Sequence, residues 1–234
     1  MGSASGVGKS TVCLGLLAQL LKEGYRPEQL TYIKPMTQCV TPQLVAEFCE
    51  QMAINYKAID GLIFSKGFTR DFIAGRTQTS SELLESLLSD IRQIGVQKKC
   101  VIVDGIGGPA VGSVIGASNV DIALALKSEV VFVEKSGLGS AIDSTVLCIT
   151  YMQCKGLKQI GLIYNNLSVP DSSVTQQALS KRLAELLPDS TLLGFLTDHE
   201  QLQTWVQQQN QVQIAQWFTQ FLDLNKLRQY LPAL

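Results

Sequence analysis

Residues 2–11 read Gly2-Ser3-Ala4-Ser5-Gly6-Val7-Gly8-Lys9-Ser10-Thr11, and the fold is decided by how this stretch is understood. Small residues lead into Gly-Lys-Ser-Thr, which opens an amphipathic helical pattern. The general phosphate loop has four residues between its glycines. Here five residues separate Gly2 from Gly8, a longer variant on the same physics. Side chains this small let backbone N–H groups point inward around phosphate oxygens, and the following helix presents its positive end to them. On this reading Ser5, Gly6, Val7, Gly8, Lys9, Ser10 and Thr11 hold the phosphates of a nucleoside triphosphate. Lys9 neutralises the outer phosphates and the Ser10 hydroxyl holds Mg²⁺. The plainer alternative, a glycine turn that merely caps a helix, leaves the lysine and the hydroxyl without a purpose.

Outward from the loop, helical and strand patterns alternate. Ser10–Glu23 carries Val12, Leu16 and Leu20 on one face and ends at Gly24, a natural helix stop. Strands are expected at Leu30–Lys34, Gly61–Phe64, Cys100–Val103, Val130–Val133, Gly161–Tyr164 and Leu192–Phe195. Cys100-Val101-Ile102-Val103 and Val130-Val131-Phe132-Val133 are apolar at every position, which is the pattern of strands buried on both faces in a parallel sheet. Helices are expected from Pro42 with Thr41 as cap, over Ser80–Ile94 with a capping box near Ser81 and Glu82, over Ser140–Lys155 and over Thr175–Leu187. The glutamine-rich stretch 199–234 still carries Trp205, Val206, Ile214, Trp217 and Phe218, which predicts one or two packed C-terminal helices. The rhythm predicts one α/β domain over residues 1–234, a doubly wound, mostly parallel sheet with helices on both faces.

Phosphate loops normally follow a buried strand, and here only Met1 precedes Gly2. The expectation is a natural start upstream of Met1; the alternative is a strand supplied some other way. Loss of a central strand would leave two neighbours with unpaired edges.

Composition narrows the function. The 234 residues are 46% hydrophobic and 17% charged, with 19 basic against 20 acidic side chains. No basic block is present, so nucleic acid and anionic membrane are not expected partners. No apolar run approaches the about 20 residues that span a bilayer. With the loop beginning at residue 2, no secretory leader is expected, and the six cysteines include no Cys-x-x-Cys pair. That usage, with a single histidine, His199, fits buried thiols in a reduced, cytoplasmic setting and offers no zinc site.

Three further strand ends carry chemistry. Val101-Ile102-Val103-Asp104-Gly105-Ile106-Gly107-Gly108 ends an apolar strand in an acid, where phosphate-loop proteins hold Mg²⁺ directly or through water. Tyr32-Ile33-Lys34-Pro35-Met36 sets a cation at another strand end, able to reach a transferred phosphate or a substrate carboxylate. Tyr164-Asn165-Asn166 offers a carboxamide that pairs two ways with adenine. Each alone is also an ordinary turn.

Taken in order, these motifs resemble dethiobiotin synthetase and its relatives in the P-loop superfamily that includes cobyrinic acid synthases. The resemblance runs over nearly the whole chain, through Asn119-Val120-Asp121-Ile122-Ala123, Ser136-Gly137-Leu138-Gly139-Ser140, Lys155-Gly156-Leu157 and Leu192-Leu193-Gly194. It implies an ATP- and Mg²⁺-dependent enzyme, usually a homodimer, acting on a small molecule. In the family, a carbamate formed from CO₂ on diaminopelargonate is phosphorylated by ATP and closed to a ureido ring. By position, Lys9 and Lys34 would be catalytic, Ser10 and Asp104 would handle Mg²⁺, and Asn165 would meet adenine. Gly137, Leu138, Gly139 and Ser140 resemble the segment that receives the substrate carboxylate across the dimer.

Departures stand beside the matches. The family usually has Glu where Asp104 stands. It also has a metal-binding Asp at the start of the helix after Lys-Pro, where this chain reads Thr41-Pro42-Gln43-Leu44-Val45-Ala46-Glu47. Glu47 is the acid available there if the loop shifts. Pro109-Ala110-Val111 replaces the usual Pro-Leu continuation, and Phe195-Leu196-Thr197 lacks the usual proline. Nucleotide handling looks retained and the substrate side altered. Two other readings compete. A nucleotide-switch protein would carry an extra lysine early in the loop, which Gly2–Gly6 lacks; a GTPase would carry Asn-Lys-x-Asp, which Asn165-Asn166-Leu167-Ser168 is not. A catalytically inactive ATP-binding domain is the remaining alternative.

Overall fold

The computed structural model describes residues 1–37, 43–57, 62–63, 67–135, 137–167, 172–197 and 200–231. The chain begins with α1 (Lys9–Lys22), β1 (Leu30–Ile33), β2 (Met36–Thr37), α2 (Leu44–Gln51), β3 (Asn55–Lys57) and β4 (Leu62–Ile63). It continues through α3 (Phe68–Ile73), α4 (Ser80–Ile94), β5 (Cys100–Val103), α5 (Asn119–Leu126), β6 (Val130–Lys135) and α6 (Gly139–Cys154). It closes with β7 (Ile160–Leu167), α7 (Ser172–Leu186), β8 (Ser190–Thr197), α8 (Leu202–Gln207), α9 (Gln211–Thr219), β9 (Phe221–Leu222) and α10 (Leu224–Leu227).

The apolar runs form strands because every side chain on them finds a helix above or below. Among the described strands, two larger parallel groups run β3-β1-β5 and β6-β7-β8, and β9 closes the second by pairing antiparallel to β8. The short β2 and β4 pair parallel to each other. Alternation sorts the residues: Leu30, Tyr32, Ile102, Val133 and Ile163 pack with α1, α2, α8 and α9 on one face. Val130, Phe132, Leu162 and Tyr164 pack with α5, α6 and α7 on the other, where Ile33 also meets α4. Helices on both faces of mostly parallel strands make this an α/β fold, as the alternation predicts.

Particular elements differ from the sequence expectation for local reasons. α4 is capped one turn edge earlier, by Thr79, whose hydroxyl accepts from the Glu82 N–H while Glu82 accepts from the Thr79 N–H. Asn119–Leu126 is a helix, started by the reciprocal Ser118 and Asp121 box. α1 ends as expected: Gly24 takes φ +98° and its N–H donates to Leu21 O, while Tyr25 N–H reaches Leu20 O. β7 and β8 run longer than their apolar cores. Leu62–Ile63 is strand, whereas Gly61, Phe64, Thr41, Pro42, Ser136 and His199 lie outside the described residues. The C-terminal stretch supplies the helices α8 and α9, and adds β9 and α10. Among the described residues, no helix is long and apolar enough to cross a membrane.

α1 approaches the C-terminal helices closely at Gly15. A Cβ there would sit 2.1 Å from Phe218 Cδ2, and Phe218 is fully buried. Alanine gains about 1 kcal/mol of helix propensity over glycine, but forcing a methyl into this contact costs about 1–3 kcal/mol. Gly15→Ala should therefore lower the urea midpoint, and Phe218→Leu in the same chain should recover part of the loss. A midpoint that rises in Gly15→Ala would contradict this packing.

Candidate functional site

The loop of residues 2–8 rises from beside β6 and turns into α1. Ser3 N–H donates to Val133 O at 3.2 Å, and Gly2 bridges Val133 in parallel register. Gly6 and Gly8 take φ of +79° and +95°, a region closed to most side chains. Gly8 is doubly constrained, since a Cβ there would lie 2.0 Å from Asn165 Nδ2. Val12 N–H closes the first helical bond to Gly8 O, which leaves the N–H groups of the first turn without helical partners. Ala4, Ser5 and Gly6 are exposed, Val7 is buried beneath them, and Thr11 is half-buried. Lys9 is only 8% exposed, with its ammonium folded back to donate to Ala4 O at 2.7 Å. Burial pushes that ammonium below the ordinary lysine range, opposed by the Asp104 carboxylate. An anion in the loop would restore what burial removes.

Beside the loop, three side chains meet on Asp104, which follows β5: one from the start of α1 and two from β1 and its end. Its Oδ2 accepts from Ser10 Oγ at 2.6 Å, Tyr32 OH at 2.8 Å and Lys34 Nζ at 3.2 Å. Gln43, at the start of α2, joins them: its Oε1 accepts from Lys34 Nζ at 2.9 Å and lies 2.8 Å from Ser10 Oγ, whose single proton it shares with Asp104. Lys34 Nζ also lies 3.4 Å from Ser10 Oγ. Burial, with the Asp104 charge beside it, pushes the Tyr32 phenol far above its ordinary range, so it remains a donor. Asp104 is 1% exposed, yet its Oδ1 has no hydrogen-bond partner. A buried carboxylate oxygen without a donor, next to a serine hydroxyl at a helix start, fits a divalent cation or its water. Ser10 and Asp104 would be the protein's share of the ligands to Mg²⁺, whose charge would then be supplied beside the phosphates.

Asn165, buried on β7, donates from Nδ2 to Val7 O at 3.1 Å, while its Oδ1 lacks a partner. The carboxamide thus braces the loop with one end and keeps an acceptor free at the other. The segment before α6 stands apart from the Asp104 cluster. Leu138 is 49% exposed, Gly139 and Ser140 are exposed, and Gly137 is half-buried. Its link to the loop runs through Glu134 on β6, buried, which accepts from Ser3 Oγ at 2.8 Å and from Ser144 Oγ of α6.

Sequence reasoning missed Gln43, Tyr32 and Glu134. Tyr32 had a signal, since strand residues two apart share a face and Tyr32 lies two before Lys34. Gln43 occupies the helix start where an acid was sought. Glu47, the substitute considered, instead accepts from Gln51 one turn along the same helix at 3.3 Å and stays out of the cluster. Glu134 had no signal beyond its place at a strand end.

A parallel sheet, a glycine loop wrapped onto a helix start, and a buried acid beside the loop's serine define a P-loop ATPase. Residues 1–204 match the AAA domain family, and the chain belongs to that family, in its dethiobiotin synthetase-type P-loop form. It is similar to the ATP-dependent dethiobiotin synthetase BioD of Bacillus subtilis subsp. natto, at 28% identity over 201 residues, 82% of this chain and 83% of that protein. It is also similar to the enzyme of the same name from Akkermansia muciniphila, at 27% identity over 134 residues. That match covers 57% of this chain and 62% of that protein, so the chain spans under two thirds of that relative's length. Among solved structures, the MinD cell division protein of Aquifex aeolicus superposes with a TM-score of 0.56 at 13% identity, covering 92% of this chain and 90% of that one. Apo McdA of Cyanthece gives 0.54 at 12% identity, covering 92% of each chain. These two likenesses concern the fold.

Lys9→Ala removes the loop's cation and should weaken ATP binding by at least about 10-fold, the loss of a charged hydrogen bond worth about 1.5–3 kcal/mol. Far-ultraviolet circular dichroism should be unchanged. Calorimetry that returns the wild-type ATP affinity for this variant would remove Lys9 from the phosphate site.

Proposed function

We propose that this chain is an ATP- and Mg²⁺-dependent enzyme of the dethiobiotin synthetase type, which phosphorylates a carbamate or carboxylate on a small amine and closes a ring. The observation that carries this is the position of Lys34. Its ammonium reaches both the Ser10 hydroxyl and the Asp104 carboxylate from a strand outside the loop. Holding a nucleotide needs the loop and Lys9; a second cation beside the metal position serves a group in transfer.

In this reading Ser5, Gly6, Val7, Gly8, Lys9, Ser10 and Thr11 hold the triphosphate, and Asn165 accepts from the adenine amino group. Lys9 and Lys34 flank the γ-phosphate. Lys34 also draws the carbamate oxygen toward phosphorus. That oxygen forms a bond to the γ-phosphorus as the bond to the β-γ bridging oxygen breaks, releasing ADP. A neighbouring amine then bonds to the carbonyl carbon, inorganic phosphate leaves with the carbonyl's P–O oxygen, and the amine's proton passes to solvent. Tyr32 holds Asp104 in place throughout as a donor, because burial keeps the proton on its own phenol.

Gly137, Leu138, Gly139 and Ser140 would meet the substrate's carboxylate from the other copy of a homodimer, an arrangement consistent with their exposure away from their own Asp104 cluster. The cytoplasm supplies the ATP and the reducing conditions that free cysteines need.

The reaction is tested by ADP release with Mg²⁺, with and without diaminopelargonate and bicarbonate. Release that requires both, with a ureido product, is expected; ATP binding with turnover indifferent to both would overturn the assignment. Lys34→Ala should keep ATP affinity within about 2- to 3-fold and lose substrate-dependent turnover by about 100-fold or more, as when a transition-state donor is removed. Normal turnover in this variant would return Lys34 to a structural partner of Asp104.

A further inference from the structure

Asn119 opens α5 outside the Asp104 cluster, yet it is only 5% exposed and its carboxamide is fully engaged. Its side-chain partners all belong to the turn that follows Asp104. Oδ1 accepts from the Ile106 N–H at 3.2 Å, and Nδ2 donates to Ile106 O and to Gly108 O, each at 2.7 Å. α5 does not need this side chain for its own start, because Ser118 and Asp121 form a reciprocal cap. The carboxamide serves the turn.

The turn is held between two close neighbours. A Cβ on Gly105 would lie 2.9 Å from Asn119 Oδ1, so the backbone comes up to the carboxamide only because residue 105 is glycine. The same turn lies against the phosphate loop, where a Cβ on Gly108 would sit 3.0 Å from Ser3 O and one on Gly107 would sit 3.9 Å from Ser5 Oγ. Its polar groups are sorted by their bonds. The Ile106 and Gly108 carbonyls are taken by Asn119, and Gly108 O also accepts from the Val111 N–H. The N–H groups of Gly107 and Gly108 meet no acceptor among the described residues, although Gly107 is buried and Gly108 half-buried. Successive backbone donors whose neighbouring carbonyls are tied back suit an anion.

We propose that Asn119 is a positioning residue of the nucleotide site: its carboxamide holds the turn 105–108 against the phosphate loop, with the Gly107 and Gly108 N–H groups kept for the terminal phosphate of ATP. This rests on the loop being the phosphate site. Asp104, at the metal position, marks the end of that site where the outer phosphates lie, and the turn begins at the next residue. Without the carboxamide, the buried carbonyls of Ile106 and Gly108 lose their donor and are free to turn toward those phosphates, which repel them. Inner phosphates, held by the loop itself, are untouched. Asn119 therefore bears on the difference between a triphosphate and a diphosphate.

The test is calorimetric binding of ATP and ADP, each with Mg²⁺, to the whole chain and three variants. The unaltered chain should bind ATP more tightly than ADP. Asn119→Ala removes all three hydrogen bonds without adding charge; it should weaken ATP by about 10-fold or more, as when a donor to a charged group is lost, and keep ADP within about 2- to 3-fold. Gly108→Ala keeps Asn119 and presses the turn off Ser3 O, so it should show the same selective loss even where Asn119→Ala folds poorly. Ser118→Ala removes the cap of α5; it should lower Tm by about 2–4 °C and leave the ratio of ATP to ADP affinity unchanged. A non-hydrolysable ATP analogue should slow amide exchange at Gly107 and Gly108 more than ADP does. Equal losses for ATP and ADP in Asn119→Ala and Gly108→Ala, an unchanged ratio in both, or exchange at Gly107 and Gly108 indifferent to the analogue would overturn the proposal while leaving the phosphate site in place. An unaltered chain that binds neither nucleotide would overturn both.

Discussion

The Asp104 carboxylate holds the site together. One oxygen of a side chain that is almost fully buried accepts from a serine at the start of α1, a tyrosine on β1 and a lysine just beyond it. An ionised group so removed from water is tolerable only with donors of this strength around it, so Asp104, Ser10, Tyr32 and Lys34 stand or fall as a unit. The constraint reaches outward, since Lys34 also donates to Gln43, which lies within hydrogen-bond distance of the Ser10 hydroxyl, and thereby fixes the start of α2. What remains unsatisfied is the other carboxylate oxygen. The cluster is therefore a rigid frame with a single acceptor still open, which suits a metal-assisted phosphate site.

The phosphate loop is built on a second frame. Asn165 braces Val7 from β7, and Glu134 braces Ser3 while also holding Ser144 on α6. Through Glu134 the loop and the start of α6 share one buried carboxylate, so a displacement of either element is felt by the other. The same end of β6 receives Met1 and Gly2. The loop's position thus depends on the edge of β6.

Much of this was legible in the residues. Gly-Lys-Ser-Thr located the loop, and the all-apolar runs at 100–103 and 130–133 announced strands covered on both faces. The acid after the 100–103 run and the lysine at the end of Leu30–Lys34 pointed to Asp104 and Lys34, which the fold brings within 3.2 Å. Illegible were contacts that depend on tertiary placement. Gln43 was passed over because a metal position suggests an acid, whereas the neutral carboxamide here accepts from a hydroxyl and an ammonium. α5 escaped because its residues are apolar nearly all round, as befits a helix pressed between α4 and the sheet, so no amphipathic period shows. The segment 137–140 was singled out by resemblance, and nothing in its own geometry ties it to Asp104.

The account turns on the claim that the loop is a phosphate site now closed by its own lysine. A crystal structure with a non-hydrolysable ATP analogue and Mg²⁺ tests this most directly. The account predicts phosphates within the loop, Lys9 Nζ moved off Ala4 O onto a phosphate oxygen, and the cation between Ser10 and Asp104. An analogue bound elsewhere, with Lys9 still on Ala4 O, would contradict it.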